Sequence, residues 1–477
     1  MNIYGLLFLL IAHYLIGCGL LKLFRVQLHP VSFSAVAFIT GIVILSFIPF
    51  ILQLFYLPIT FSSVLITICV VTFLFSIPLW RSFNQQSFFS FGRKLIPSFK
   101  IYEIPYLIIF FFILADSAWL CFYFPPNARD MLTGPETVAE FTVKEHTMLN
   151  SAVQLCAETS NNHLKPPFIT GLQVIYKLFV APFGKTWMTL MFFSFVFFLY
   201  RLLNERLHPV ISGFLLLLFI AMKEPFAYTM IMLFDYANMV VFFLASWFFV
   251  RHLEAGDTRL FYFSALLFGL ATFIRSETVV FSCMLLLLLW FVYIRKKHGF
   301  KTIITRSLLF FIIPFFFYFI WINIFLRFYM PGQFELSGQL NETLPELSSF
   351  FIRLRDMTTE LVFSDVAVRL WGYFIFTFLG LLVAEIIFGW PIQKQSLYYI
   401  YIIIALFTGF AALGCIIPLF DLMTTTKRAF LKMFPLMLIV MRNNTLLLRL
   451  TERIKNWENK KEVLISVQKS STKRVKK

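Results

Sequence analysis

Apolar stretches follow one another along almost the whole chain, separated by brief polar breaks. They fall near 3–22, 32–57, 59–80, 104–124, 186–202, 209–223, 232–250, 260–275, 278–294, 307–328, 369–389, 397–420 and 429–441. Each is continuous rather than alternating, and most are about twice the length of a barrel strand, which crosses a membrane in roughly ten residues. Runs of this kind predict transmembrane helices. The expected fold is an all-α polytopic membrane protein with about thirteen transmembrane helices. The first run, IYGLLFLLIAHYLIGCGLLKL, lacks a basic leader and a small-residue cleavage site, so it reads as a retained span.

The breaks are unequal. Basic residues collect at Arg81–Lys100, at Arg295–Arg306 and in the tail from Arg442 to Lys477. If these three are cytoplasmic, strict alternation puts the N-terminus outside and the tail inside, in accord with the positive-inside rule. Two long breaks, 125–185 and 329–368, then lie outside. Loops of this length are functional or disordered more often than not, and the first carries too many aromatic and aliphatic residues to be a simple linker. The expected organisation is N-terminal spans and a loop (1–103), a core with the first outer loop (104–330), a second outer loop with the C-terminal spans (331–441), and a basic tail (442–477). No internal repeat is visible.

Composition agrees with this pattern. Of 477 residues, 60% are hydrophobic, 65 are phenylalanine and only 14% are charged. The formal charge of +17 would suit nucleic acid in a soluble protein. Here cytoplasmic loops account for it, and no nucleic-acid partner is expected. The six cysteines lie mostly in apolar runs without a CxxC pair, so no metal or disulfide framework is expected.

Candidate chemistry sits in the outer breaks. RDMLTGPETVAE (129–140) concentrates polar residues just after the fourth span. Thr133 to Glu136 has capping-box spacing with Pro135 suited to a first turn, predicting a short helix in which Glu140 and Lys144 pair. Asp130 precedes the cap beside Arg129. A carboxylate at the membrane edge loses hydration and becomes a better base, and a base must reach a hydroxyl. Asp130 is the first candidate, with Glu136 as the second and an ion pair with Arg129 as the alternative role. Farther on, NNHLKPPFITGLQVIYKLF (161–179) predicts an amphipathic interfacial helix after a double proline, with His163 and Lys165 at its entrance to meet an anionic head group. Asp235 opens a later span, and Arg275 and Glu277 share a tight turn between two others. Charges at membrane edges are costly, which makes them functional candidates.

In this order, these pieces resemble the GT-C superfamily of integral membrane glycosyltransferases, in the branch of protein O-mannosyltransferases and lipid A aminoarabinose transferases. The resemblance covers roughly 104–330. It rests on an acid in the first outer loop (Asp130), on HLKPPFITGLQVIYKLF, on Asp235 in LFDYANMVVFFLASWFF, and on the turn in GLATFIRSETVVF. Three additional spans precede it, Asp130 is followed by Met131 rather than a second acid, and Leu164 and Lys165 separate His163 from the prolines. The resemblance implies an enzyme of a bacterial cell membrane that moves a sugar from a polyprenyl-phosphate carrier to an acceptor hydroxyl on a glycan, lipid or protein. Its site would face outside the cytoplasm. Asp130 would be the base, Lys165, Arg275, Arg129 and His163 would hold the donor phosphate, and Asp235 and Glu277 would line the cavity. It implies no nucleotide, no other cofactor and no obligatory metal, though a carboxylate-held divalent ion is compatible with it. Membrane lipids are the other expected partner. The alternatives are a transporter or flippase of a lipid-linked saccharide, and a polymerase or ligase of O-antigen type.

Overall fold

The computed structural model describes residues 2–81, 100–126, 129–155, 165–180, 184–329, 347–417 and 420–475. Every regular element among them is helical. The first three spans are α1 (Ile3–Leu23), α2 (Pro30–Leu45), continued by α3 (Phe47–Leu54), and α4 (Phe61–Arg81). Then come α5 (Ile104–Tyr123), α6 (Thr137–Glu145), α7 (Phe168–Phe179), α8 (Thr186–Asn204) and α9 (Pro209–Ile220). The centre is α10 (Phe234–Ala255), followed by α11 (Thr258–Ile274), α12 (Thr278–Arg295) and α13 (Phe300–Phe319). The C-terminal part holds α14 (Leu347–Thr358), α15 (Asp365–Trp371), α16 (Phe374–Ile387), α17 (Lys394–Ile416), α18 (Phe434–Arg442) and α19 (Thr445–Val475). Helix α10 is apolar on all sides and buried nearly throughout, as a helix enclosed by others must be.

Among the described residues nine helices are long and apolar enough to cross a membrane, or eleven if each of two bent pairs counts once. This makes the chain an integral multi-pass membrane protein in its architecture, although not each of the thirteen apolar runs forms a helix of spanning length on its own. The run at 209–223 yields only the 12 residues of α9, about 18 Å of helix against the roughly 30 Å of a hydrocarbon core. The run at 260–275 yields the 17 residues of α11. It stops because Arg275 turns to an extended backbone, φ −147° and ψ 115°. The runs at 369–389 and 429–441 each join a neighbour across a sharp bend, of 101° between α15 and α16 and of 52° between the helical stretch ending at Arg442 and α19.

Glycines let the N-terminal helices touch backbone to backbone. A Cβ on Gly17 would lie 1.8 Å from the Ala37 carbonyl oxygen, and one on Gly41 1.9 Å from that of His13. Such small-residue contacts replace hydrophobic driving force inside a bilayer. These helices also close around α7. Gly5 abuts the Phe179 carbonyl, Gly171 abuts that of Ser46, and His13 Nε2 meets the Tyr176 hydroxyl at 2.9 Å.

Helix α7 is therefore packed inside the protein on nearly all sides. Ten of its twelve residues are buried, Gln173 among them. The polar stripe that suggested a solvent face is a partnered face: Gln173 accepts from Trp187 Nε1 at 3.0 Å and donates to Glu136 at 2.8 Å, while Lys177 pairs with Glu136 at 2.6 Å and Glu140 at 2.9 Å. Gly171→Ala places a methyl 2.3 Å from the Ser46 oxygen. Overpacking of this kind costs about 1–3 kcal/mol, so thermal unfolding in detergent should shift down. Gly380→Ala, with nothing within 4 Å of the new Cβ, should leave it unchanged or slightly raised.

Candidate functional site

Charged side chains from several separate parts of the chain meet at one end of the bundle. Asp235 is in the first turn of α10 and Arg275 ends α11; both are buried, and they form an ion pair. Arg275 Nε also lies 2.9 Å from Glu277. The turn that holds them is pinned from α10, where Asn238 Nδ2 donates to the Ala271 carbonyl at 2.8 Å and to Thr278 Oγ1 at 3.0 Å. Asp235 and Asn238 are three residues apart and so share a helix face.

The opposite wall comes from the segment before α18. Asp421 accepts from the N–H groups of Met423 and Thr424 at 2.9 and 3.0 Å and starts a wide turn, Leu422–Thr426. Arg353 of α14 braces it, donating to Thr426 Oγ1 at 2.9 Å. This turn delivers three cations. Lys427 pairs with Glu224 at 2.7 Å, Arg428 with Asp130 at 3.0 Å, and the buried Lys432 with Glu277 at 2.9 Å. Lys432 also sits over the rings of Phe281 and Phe410.

Lys165 closes the group from the entrance of α7, with its ammonium 5.5 Å from the centre of the Phe234 ring. Desolvation, followed by the Arg275 and Arg428 guanidiniums, pushes that ammonium down to about 8, against the pull of Asp130 and Glu277. Burial pushes the Glu277 carboxyl up, but Arg275, Lys432 and Lys165 outweigh it and leave it below its ordinary value. Among the described residues around Arg275, four cations (Lys165, Arg275, Arg428, Lys432) face three carboxylates (Asp130, Asp235, Glu277). An excess of positive charge in a partly dehydrated setting suits an anion such as a phosphate.

Asp130, Lys165, Asp235, Arg275 and Glu277 are thus brought together. Asp130 keeps 45% of its side-chain surface exposed, so it loses less hydration than the membrane edge led one to expect, whereas Asp235 is 4% exposed. Glu136 stands apart, held by Lys177 and Gln173. The capping box expected of Thr133 and Glu136 is corrected by this geometry. Helix α6 starts after Glu136 without a side-chain cap, and the carboxylate turns sideways to α7. The expected Glu140–Lys144 pair is present at 3.2 Å. His163 and the Arg129 side chain lie outside the described residues. Arg428 and Lys432 were missed by sequence reasoning. The readable signal for Lys432 was a lysine within an apolar run, which is rarely placed without a partner.

Among the described residues no three His, Cys, Asp or Glu side chains gather as they would to hold a metal ion. No protein-family profile, curated protein or solved structure matches the chain.

Proposed function

We propose that the chain is a membrane glycosyltransferase that moves a sugar from a polyprenyl-phosphate carrier to an acceptor hydroxyl on the extracytoplasmic side. The observation that carries this reading is the convergence of Asp130, Lys165, Asp235, Arg275 and Glu277, drawn from residues 130 to 277, with Arg428 and Lys432 from the far end of the chain. A transporter would be expected to place its charges near mid-membrane on broken helices; these gather at one end of the bundle.

In the proposed reaction the acceptor oxygen attacks the anomeric carbon while Asp130 takes its proton. The bond from that carbon to the phosphate oxygen breaks, and the lipid phosphate leaves with the electron pair. Lys165, Arg275 and Arg428 stabilise the charge that develops on it, and attack opposite the leaving group inverts the configuration. Asp235 and Glu277 keep Arg275 fixed in the cavity, and Lys432 balances Glu277.

The test is release of free polyprenyl phosphate by purified protein given a lipid-linked sugar and an acceptor. Transfer predicts stoichiometric release, whereas a flippase would release none. The donor KM should rise as pH passes about 8, because the Lys165 ammonium is charged below that value and neutral above it. Lys165→Arg should remove this rise, since a guanidinium stays charged throughout. A pH profile identical in the two proteins would take Lys165 out of donor binding.

A further inference from the structure

Helices α12 and α17 run side by side in opposite directions, and the two ends of the pair differ. Toward the start of α12 they are tightly packed. A Cβ on Gly409 would come within 2.8 Å of the Phe281 ring, the rings of Phe281 and Phe410 are 4.9 Å apart, and the Tyr401 hydroxyl donates to the Met284 carbonyl at 3.0 Å. Toward the other end the pair holds a cavity of about 600 Å³. Leu288, Phe291, Leu397 and Tyr401 are among the seven aliphatic and aromatic side chains that line it, and Arg295, Lys296 and Lys394 are the remaining three. No carboxylate is among the lining residues.

The cations are all at one end of this slot. Arg295 is the last residue of α12, and Lys394 is the first of α17. Leu287 is two helical turns deeper, roughly 12 Å below Arg295. Lys296 is fixed at the mouth by donating to the Leu253 carbonyl at 2.6 Å, and Lys394 leans over the Tyr398 ring. Arg295 is exposed and makes no ion pair among the described residues. The slot therefore joins a hydrocarbon-lined depth to a rim of three cations; Glu254, outside the lining, is an acid close enough to act on Lys394, and the rim keeps a net positive charge. Free phosphate would leave the depth unfilled, and a zwitterionic lipid would leave the rim's net charge unbalanced.

We infer that this cleft binds an anionic phospholipid, with the phosphate head group against Arg295, Lys296 and Lys394 and one hydrocarbon chain in the slot between α12 and α17. The site is separate from the candidate catalytic end. The cationic rim at Arg295 is the length of α12, 18 residues or about 27 Å, from Glu277, and Leu287 in the lining is still about 15 Å along the helix from it. The inference does not depend on the proposed reaction.

Native mass spectrometry of the detergent-purified full chain tests it, with phosphatidylglycerol, phosphatidylcholine of matched chains, and inorganic phosphate as probes. Phosphatidylglycerol should be retained over phosphatidylcholine, and inorganic phosphate should not displace it. Two cations near a membrane surface are together worth about a 30-fold change in affinity. R295Q/K394Q should lose roughly that preference while keeping its melting temperature. Lys301→Gln with Arg259→Gln, an equal charge change away from the cavity, should keep it. Leu287→Trp, which fills the slot, should weaken retention of both lipids. Full preference in R295Q/K394Q, equal loss in the control pair, or displacement by inorganic phosphate would each overturn the assignment.

Discussion

Arg275→Ala should produce the largest loss of stability of any single change at the charged end, together with loss of transfer. Arg275 is the shared partner of Asp235 and Glu277, and both it and Asp235 are buried. Removing one member of a buried pair strands the other charge in a poor solvent, at a cost of about 3–5 kcal/mol. Glu277 keeps Lys432 at 2.9 Å, so Asp235 bears most of the penalty. Replacing both ends of the pair with apolar groups is often neutral or stabilising. R275M/D235L should therefore regain most of the melting temperature lost by Arg275→Ala. It should not regain transfer, because no guanidinium then faces the donor phosphate. Recovery of both stability and transfer in the double variant would reduce Arg275 to a structural role.

Asp130→Asn should do the reverse, removing chemistry while sparing the fold. The Asp130–Arg428 pair is partly exposed on both sides, and exposed pairs contribute about 0–1 kcal/mol. The amide can still accept from Arg428. A general base, by contrast, is worth about 100- to 10,000-fold in rate. The initial rate of polyprenyl-phosphate release should fall by that order with an unchanged melting curve. A rate near that of the unaltered protein would remove Asp130 from the role of base. Glu136 would be a poor replacement, since Lys177 lies 2.6 Å from its carboxylate.

What the sequence made legible, and what it hid, follows from the physics of each residue. Apolar runs declare themselves because a bilayer needs about twenty such residues, and all thirteen runs contain helix. Their lengths were less legible. Proline at 209 and the Lys223-Glu224-Pro225 break shorten α9, and the demand of Arg275 for two carboxylates ends α11. Asp235, Arg275 and Glu277 stood out because charge at a membrane edge is costly, and in the fold they meet as two ion pairs that share Arg275. Arg428 reaches Asp130 across almost three hundred residues, a separation to which no local pattern points. Helix α7 misled for a general reason. A polar stripe has the same spacing whether water or a partner satisfies it, and here Glu136, Glu140 and Trp187 take the place of water. The T-x-x-E spacing at 133–136 is ambiguous in the same way, because the glutamate can reach back to its own turn or sideways to another helix.

The glycine contacts around α7 set an order of assembly. Helices α1 to α4 are synthesised before α7, and domains form as the chain emerges. The grooves that receive α7, at Gly5 on one side and Ser46 on the other, lie wholly within this earlier segment. They can form before α7 exists, and α7 buries part of its surface in them. Lys165, at the entrance of α7, inherits its position from that cradle. The leading helices, which carry none of the candidate charged groups, would then act as an internal template. A chain without them would contain the full charged set and still lack the surface that holds Lys165 in register.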